Sequence, residues 1–127
     1  MKSILLLLLF IPMLTWAQRD TNREEVFLVV QQMPKFIGGD EALMEYIKEG
    51  TIYPQVCRDS NITGTVYVQC VINIAGRIEQ VKITRSVHPL LDEEAMRVVS
   101  HMPRWEPGKQ NGKLVNVQYT LPIRFGD

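Results

Sequence analysis

An excess of charge of either sign is missing from this chain: 14 lysines and arginines stand against 14 aspartates and glutamates. That balance removes the electrostatic case for nucleic acid or an anionic membrane surface as a partner. Histidine and cysteine are scarce, at two residues each. Cys57, Cys70, His88 and His101 make a two-cysteine, two-histidine set by number, but neither pair has the close spacing of a structural zinc site. A cysteine–histidine nucleophile needs an accessible thiol beside the imidazole, and both cysteines fall where a core-facing side chain is expected. Gly38-Gly39 lacks the flanking glycines and lysine of a phosphate loop. Asp92-Glu93-Glu94 reads as solvated acids in a helix first turn rather than as a carboxylate site. No catalytic constellation, metal site or cofactor site survives, and a binding module rather than an enzyme is expected.

Long apolar runs are also missing after the first residues. Lys2 gives a positive start, an apolar run extends from Ile4 to Leu14 with Pro12 inside it, and Thr15-Trp16-Ala17 places small residues at −3 and −1. The run ends at Gln18-Arg19-Asp20, short of the roughly 20 residues of a membrane span. Residues 1–17 therefore read as a secretory signal peptide cut after Ala17, with an uncleaved short anchor as the alternative. Residues 18–25 are polar and read as a flexible N-terminus. Residues 26–127 suffice for one domain with a modest core and no membrane span. In an exported chain Cys57 and Cys70 can pair, closing a short loop at a gain of about 3 kcal/mol. They can equally stay separate as small buried hydrophobes, and nothing in the spacing decides between the two.

What is present is a clear succession of periodicities. Val26-Phe27-Leu28-Val29-Val30 is strand-prone, and Met33-Pro34-Lys35-Phe36 reads as extended. Asp40 is placed to cap a helix running to Glu49, with Leu43, Met44 and Ile47 as its apolar face and Gly50 as its stop. Tyr53-Pro54 opens a shorter helix with Val56 and Cys57 turned inward, and Asn61 can close it in the left-handed conformation. From Gly64, the residues Val66, Val68, Cys70 and Ile72 alternate with more polar neighbours, which predicts a half-buried strand. Ala75-Gly76 supplies a hairpin turn, and Val81 and Ile83 repeat the alternation on the return strand. His88-Pro89 starts a third helix whose stripe is Leu91, Ala95, Val98, Val99 and Met102; Pro103 stops it. Trp105 drops into the core, Pro107-Gly108-Lys109 and Gln110-Asn111-Gly112-Lys113 turn the chain, and Val115, Val117, Tyr119, Leu121, Ile123 and Phe125 alternate to the end. The fold class is α+β, a small antiparallel sheet of about three strands with helices packed on one face. The closing strand has no successor to pair with and is expected at a sheet edge, which is either blunted or used to capture another chain.

The ordered set Met33-Pro34-x-Phe36-x-Gly38-Gly39, Tyr53-Pro54, Gly64-Thr65-Val66-Tyr67-Val68, Pro89-Leu90-Leu91-Asp92-x-Glu94-Ala95 and Met102-Pro103-x-Trp105-x-Pro107-Gly108-Lys109 resembles the C-terminal domain of TonB energy transducers. The resemblance covers nearly all of residues 26–125. It implies a periplasmic module that captures the short TonB-box segment of outer-membrane transporters as an added strand beside its last strand. The partner-binding residues so implied are Val115, Asn116, Val117, Gln118, Tyr119, Thr120 and Leu121, with Pro122 removing a donor beyond them. The segment before Tyr53-Pro54, Gly50-Thr51-Ile52, is implied to approach the transporter as well. A handful of backbone hydrogen bonds at about 1 kcal/mol each, less ordering entropy, suggests affinity on the order of micromolar. Departures from the family pattern are Ile37 for a proline, Ala75 for an aspartate, and the two cysteines for alanine and a larger hydrophobe. A full transducer carries an N-terminal anchor and a proline-rich spacer, where this sequence has a signal peptide and a short polar stretch. The expectation is capture of envelope proteins rather than energy transduction, with a strand-paired homodimer as the alternative use of the edge.

Overall fold

The computed structural model describes residues 25–127. Residues 1–17, expected to be a signal peptide, and most of the expected flexible N-terminus at 18–25 lie outside the described residues. The elements are β1 (Val26–Phe27), α1 (Gly39–Gly50), α2 (Gln55–Asp59), β2 (Gly64–Ile72), β3 (Ile78–Arg85), α3 (Pro89–Ser100), β4 (Gly108–Gln110) and β5 (Lys113–Phe125). Three long antiparallel strands, β2, β3 and β5, carry the sheet as expected, and two short ones, β1 and β4, complete it. No helix among the described residues is long and apolar enough to cross a membrane.

The local signals place most boundaries. Asn61 closes α2 with φ 55, and Gly76 turns the β2–β3 hairpin with φ 80. His88 caps α3 through its own ring, Nδ1 accepting from the Leu90 amide at 3.1 Å, with Pro89 at the first helical position. Asp40 is not the cap of α1: Gly38 (φ 97) takes that place and Asp40 lies in the first turn, where its charge still favours the helix dipole. Pro107-Gly108-Lys109 is not a turn either. Gly108 opens β4, and the reversal falls at Asn111 and Gly112.

The sheet order is β1-β5-β2-β3, so the last strand is interior over part of its length. β5 pairs antiparallel with β2 without a break from Ile72↔Val117 to Gly64↔Phe125. Its beginning is covered by β4, which pairs Gly108↔Val115, and by β1, which runs parallel at Val26↔Asn116 and Phe27↔Val117. The expectation that the chain's last strand must be an edge overlooked the N-terminal segment, which returns to β5 after long loop closure. Asn116, buried at the junction, accepts from the Ile74 amide at 3.0 Å and donates to the Glu25 carbonyl at 3.1 Å.

One core lies between the sheet and the helices, built from Val66, Val68, Cys70 and Ile72 of β2, Leu121, Ile123 and Phe125 of β5, and Leu91, Ala95 and Val99 of α3. Each fully buried aliphatic side chain contributes about 1.5–3 kcal/mol. Trp105 fills its end, edge-on to Phe36 at 5.4 Å and to Tyr119 at 5.1 Å, and its amide donates to the Gly76 carbonyl at 2.7 Å. Its Nε1–H is buried with no partner. A smaller cluster of Val30, Val115 and Val117 holds β1 against β5. Two residues expected inside are outside: Met44 is 70% exposed and Val56 63%. Both sit on the border of a helical stripe, where a shift of one position in orientation decides burial.

Candidate functional site

The scarce chemistry-bearing residues do not assemble into a reactive centre. Cys57 and His88 do come together, Sγ to Nδ1 at 3.7 Å, but Cys57 has no exposed surface and the same Nδ1 serves the α3 cap. Cys70 is equally buried, and desolvation pushes its thiol up to about 11, so it stays protonated and inert. Both cysteines are free thiols. His101 caps the far end of α3, and its carbonyl accepts from the Tyr46 hydroxyl at 3.0 Å. Among the described residues no three of His, Cys, Asp and Glu are grouped to hold a metal ion.

Two sheet edges remain, and they differ. β3 is the outer strand on one side, but Gln80 stands at φ 53, its register with β2 shifts twice, and Glu79, Lys82 and Arg85 lie along it. A bulge and charges together make such an edge a poor template. The other edge is β5 beyond β1. From residue 118 to residue 125 the β5 backbone pairs only with β2 among the described residues, in continuous register, and Arg124 is the single charged residue there. Pro122 fits such a place, since a proline inside a strand is tolerated where one side is unpaired.

α1 flanks this open edge. A cleft of about 630 Å³ adjoins its beginning, bounded by Asp40, Leu114, Tyr119 and the segment from Gln32 to Lys35. A second, of about 560 Å³, lies at its end between Met44, Ile47 and Lys48 of α1, Thr51 and Tyr53, and Pro122, Arg124 and Phe125 of β5. The first is larger but is lined by Asp40, Glu106, Lys35 and Lys109, charges of both signs. The second contains the more apolar wall. Burial first, then the charge of Asp40, raises the Tyr119 phenol above its ordinary range, which keeps it neutral.

The loop of Gly50, Thr51 and Ile52 is pinned from α3. Arg97 donates to the Gly50 carbonyl at 2.7 Å and to Glu94 at 2.7 and 2.8 Å, while Glu94 accepts from the Ile52 amide at 2.6 Å. The Arg97 hydrogen bond holds the Glu94 carboxyl below the usual glutamate range. Thr51 lines the second cleft, and Ile52 is 67% exposed beside it.

The structure thus brings Gln118, Tyr119, Thr120 and Leu121 to an open edge with Thr51 near its far end. It does not bring Val115, Asn116 and Val117 there: all are buried, beneath β1 and β4. Sequence reasoning missed Met44, Lys48, Tyr53 and Arg124 as cleft residues. Met44 carried the one available signal, an apolar residue at the margin of the α1 stripe.

The family model for the Gram-negative bacterial TonB protein C-terminal matches residues 50–126, more than half of the chain. The solution NMR structure of the Helicobacter pylori TonB C-terminal domain is similar, with a TM-score of 0.53 and 19% identity, covering 68% of this chain and 90% of that one. A second solution structure, of the Pseudomonas aeruginosa TonB C-terminal domain, has a TM-score of 0.46 and 25% identity over 61% of this chain and 80% of that one. No curated protein matches the chain. Taking in everything from the end of α1 to the last turn after β5, the family match establishes that this chain belongs to the TonB C-terminal domain family.

Proposed function

We propose that this domain works in the periplasm by capturing extended segments of outer-membrane transporters or other envelope proteins as an added strand on β5. The observation that carries the reading is the open backbone of residues 118–125, regular in register and nearly free of charge, where the competing edge of β3 is bulged and charged. Backbone donors and acceptors along such an edge bind any extended chain, and the alternating side chains beside it select among them. Gln118, Tyr119, Thr120 and Leu121 form the first half of the site, and Pro122 to Phe125 the second. The pinned loop at Gly50, Thr51 and Ile52 borders it. The domain binds rather than catalyses.

Titrating the isotope-labelled domain with a TonB-box peptide tests the reading. The amide shifts should concentrate in residues 118–125 and 50–52. Methylating the peptide's amide nitrogens one at a time should weaken binding at every second position, because alternate amides of a strand face its neighbour. Shifts scattered over β3, or none at millimolar peptide, refute it. Exposed Leu28 and Val29, at 65% and 80% just after β1, favour a second reading, a strand-paired homodimer. Sedimentation equilibrium showing a concentration-independent monomer removes that reading.

A further inference from the structure

Strand capture leaves open what the captured strand must carry, and the cleft at the end of β5 bears on that. Its apolar wall is Met44, Ile47, Tyr53 and Phe125. The Tyr53 hydroxyl is committed to the Ile62 carbonyl at 2.6 Å, its ring stands edge-on to Phe125 at 5.9 Å, and Arg58 covers one ring face at 4.9 Å. Met44 is a large apolar side chain at 70% exposure. Lys48 and Arg124 also line the cleft, and among the described residues no aspartate or glutamate does. Lys48 lies in the last turn of α1, exposed and without a carboxylate partner among the described residues. Arg124 donates to the main-chain oxygen of Asp127, itself an acidic residue, at 2.6 Å, so its charge is already engaged. Lys48 beside an apolar wall, unmatched by acid among the described residues, is complementary to an apolar group with an adjoining negative charge.

We infer that this cleft receives an apolar side chain of the captured strand together with a neighbouring carboxylate, so that the preferred partner is an extended segment carrying an apolar–acidic pair at the end beside Phe125. The inference rests on strand capture at residues 118–125 and adds the chemistry that selects the partner. Side chains of an added strand alternate between its two faces. One can therefore enter the wall of Met44 and Tyr53 while its neighbour turns toward Lys48. The opposite cleft, with charges of both signs, offers no such preference.

The test uses capped peptides of roughly eight residues, alternating valine and threonine, that end in Leu-Glu or in Leu-Gln, and a second pair that begins Glu-Leu or Gln-Leu. The two pairs allow for either strand direction. In one of the two orders the glutamate peptide should bind about two- to fivefold more tightly than its glutamine counterpart at low salt, with the margin shrinking as salt rises. Lys48→Gln, at an exposed position, should abolish the margin between the glutamate and glutamine peptides. Equal affinity for glutamate and glutamine in both orders, with the amide footprint still on residues 118–125, overturns the inference and leaves strand capture standing. Cation-dependent retention of phosphatidylglycerol vesicles with no peptide preference overturns it as well. Failure of every peptide at millimolar concentration overturns strand capture itself, and this inference with it.

Discussion

Gly76→Ala and Gly112→Ala form a matched pair in which backbone strain is held constant and surroundings are not. Both glycines sit at nearly the same left-handed conformation, φ 80 and φ 78. An alanine there costs about 1–2 kcal/mol from sterics within its own residue. A methyl at Gly112 meets nothing within 4 Å, so that cost should be the whole effect. A methyl at Gly76 would stand 2.0 Å from the Trp105 carbonyl oxygen and 3.0 Å from its carbonyl carbon. These are backbone atoms and cannot rotate aside. The hairpin and Trp105 must separate, which loses the 2.7 Å hydrogen bond between them, worth about 1 kcal/mol, and disturbs the packing of Trp105 for a further 1–3 kcal/mol or so. Gly76→Ala should therefore destabilise by about 3–6 kcal/mol, which is a large part of a small domain's stability. Urea unfolding followed by tryptophan fluorescence measures both variants. The Gly76→Ala midpoint should fall at least twice as far as that of Gly112→Ala. Equal shifts would mean that the Gly76–Trp105 contact does not constrain the fold as described. The contact matters for function because Trp105 also packs on Tyr119, at the start of the open edge.

Other perturbations probe separate links. His88→Ala should cost about 1 kcal/mol through loss of the α3 cap while His88→Asn should retain most of it, as read by urea midpoints; equal losses would deny the cap. Neither Cys57 nor Cys70 should react with iodoacetamide in the native protein at neutral pH, and both should react once it is unfolded without reductant. Protection that persists on unfolding until reductant is added would reveal a bridge instead. Glu94 has a folded-state pKa below its ordinary one, so its contribution is present above the ordinary glutamate range and is lost as pH falls through the depressed value. Glu94→Gln should therefore flatten part of the acid limb of stability against pH and enlarge the amide exchange of Ile52; an unchanged acid limb refutes the linkage.

The elements were largely legible because each leaves a local trace. The alternation of Val66, Val68, Cys70 and Ile72 names a strand and its buried side without reference to anything distant, and all four are buried. The three-to-four spacing of Leu91, Ala95, Val98 and Val99 does the same for α3, where all four are again buried. Asn61 and Gly76 announce their turns by residue type. The candidate site was less legible. Its backbone carries the binding groups, and backbone hydrogen bonding is indifferent to the side chains that a sequence displays. Met44 illustrates the margin: as an apolar residue on an amphipathic helix it reads as core, yet it faces the cleft.

From residues alone came the α+β class, the helix and strand order, the buried faces, and the ordered motifs that resemble the TonB C-terminal family. Periodicity encodes which side of each element faces inward, and that is a property of neighbours a few residues apart. Tertiary structure alone decided who lies beside whom. It set β5 between β1 and β2, covered Val115, Asn116 and Val117, and left residues 118–125 open. It also pinned Gly50 to Arg97 and Ile52 to Glu94, and gathered Met44, Lys48 and Tyr53 around the end of the strand. Those placements depend on pairings between distant segments, such as Glu25 with Asn116, 91 residues apart, and such closure is settled by the whole fold at once.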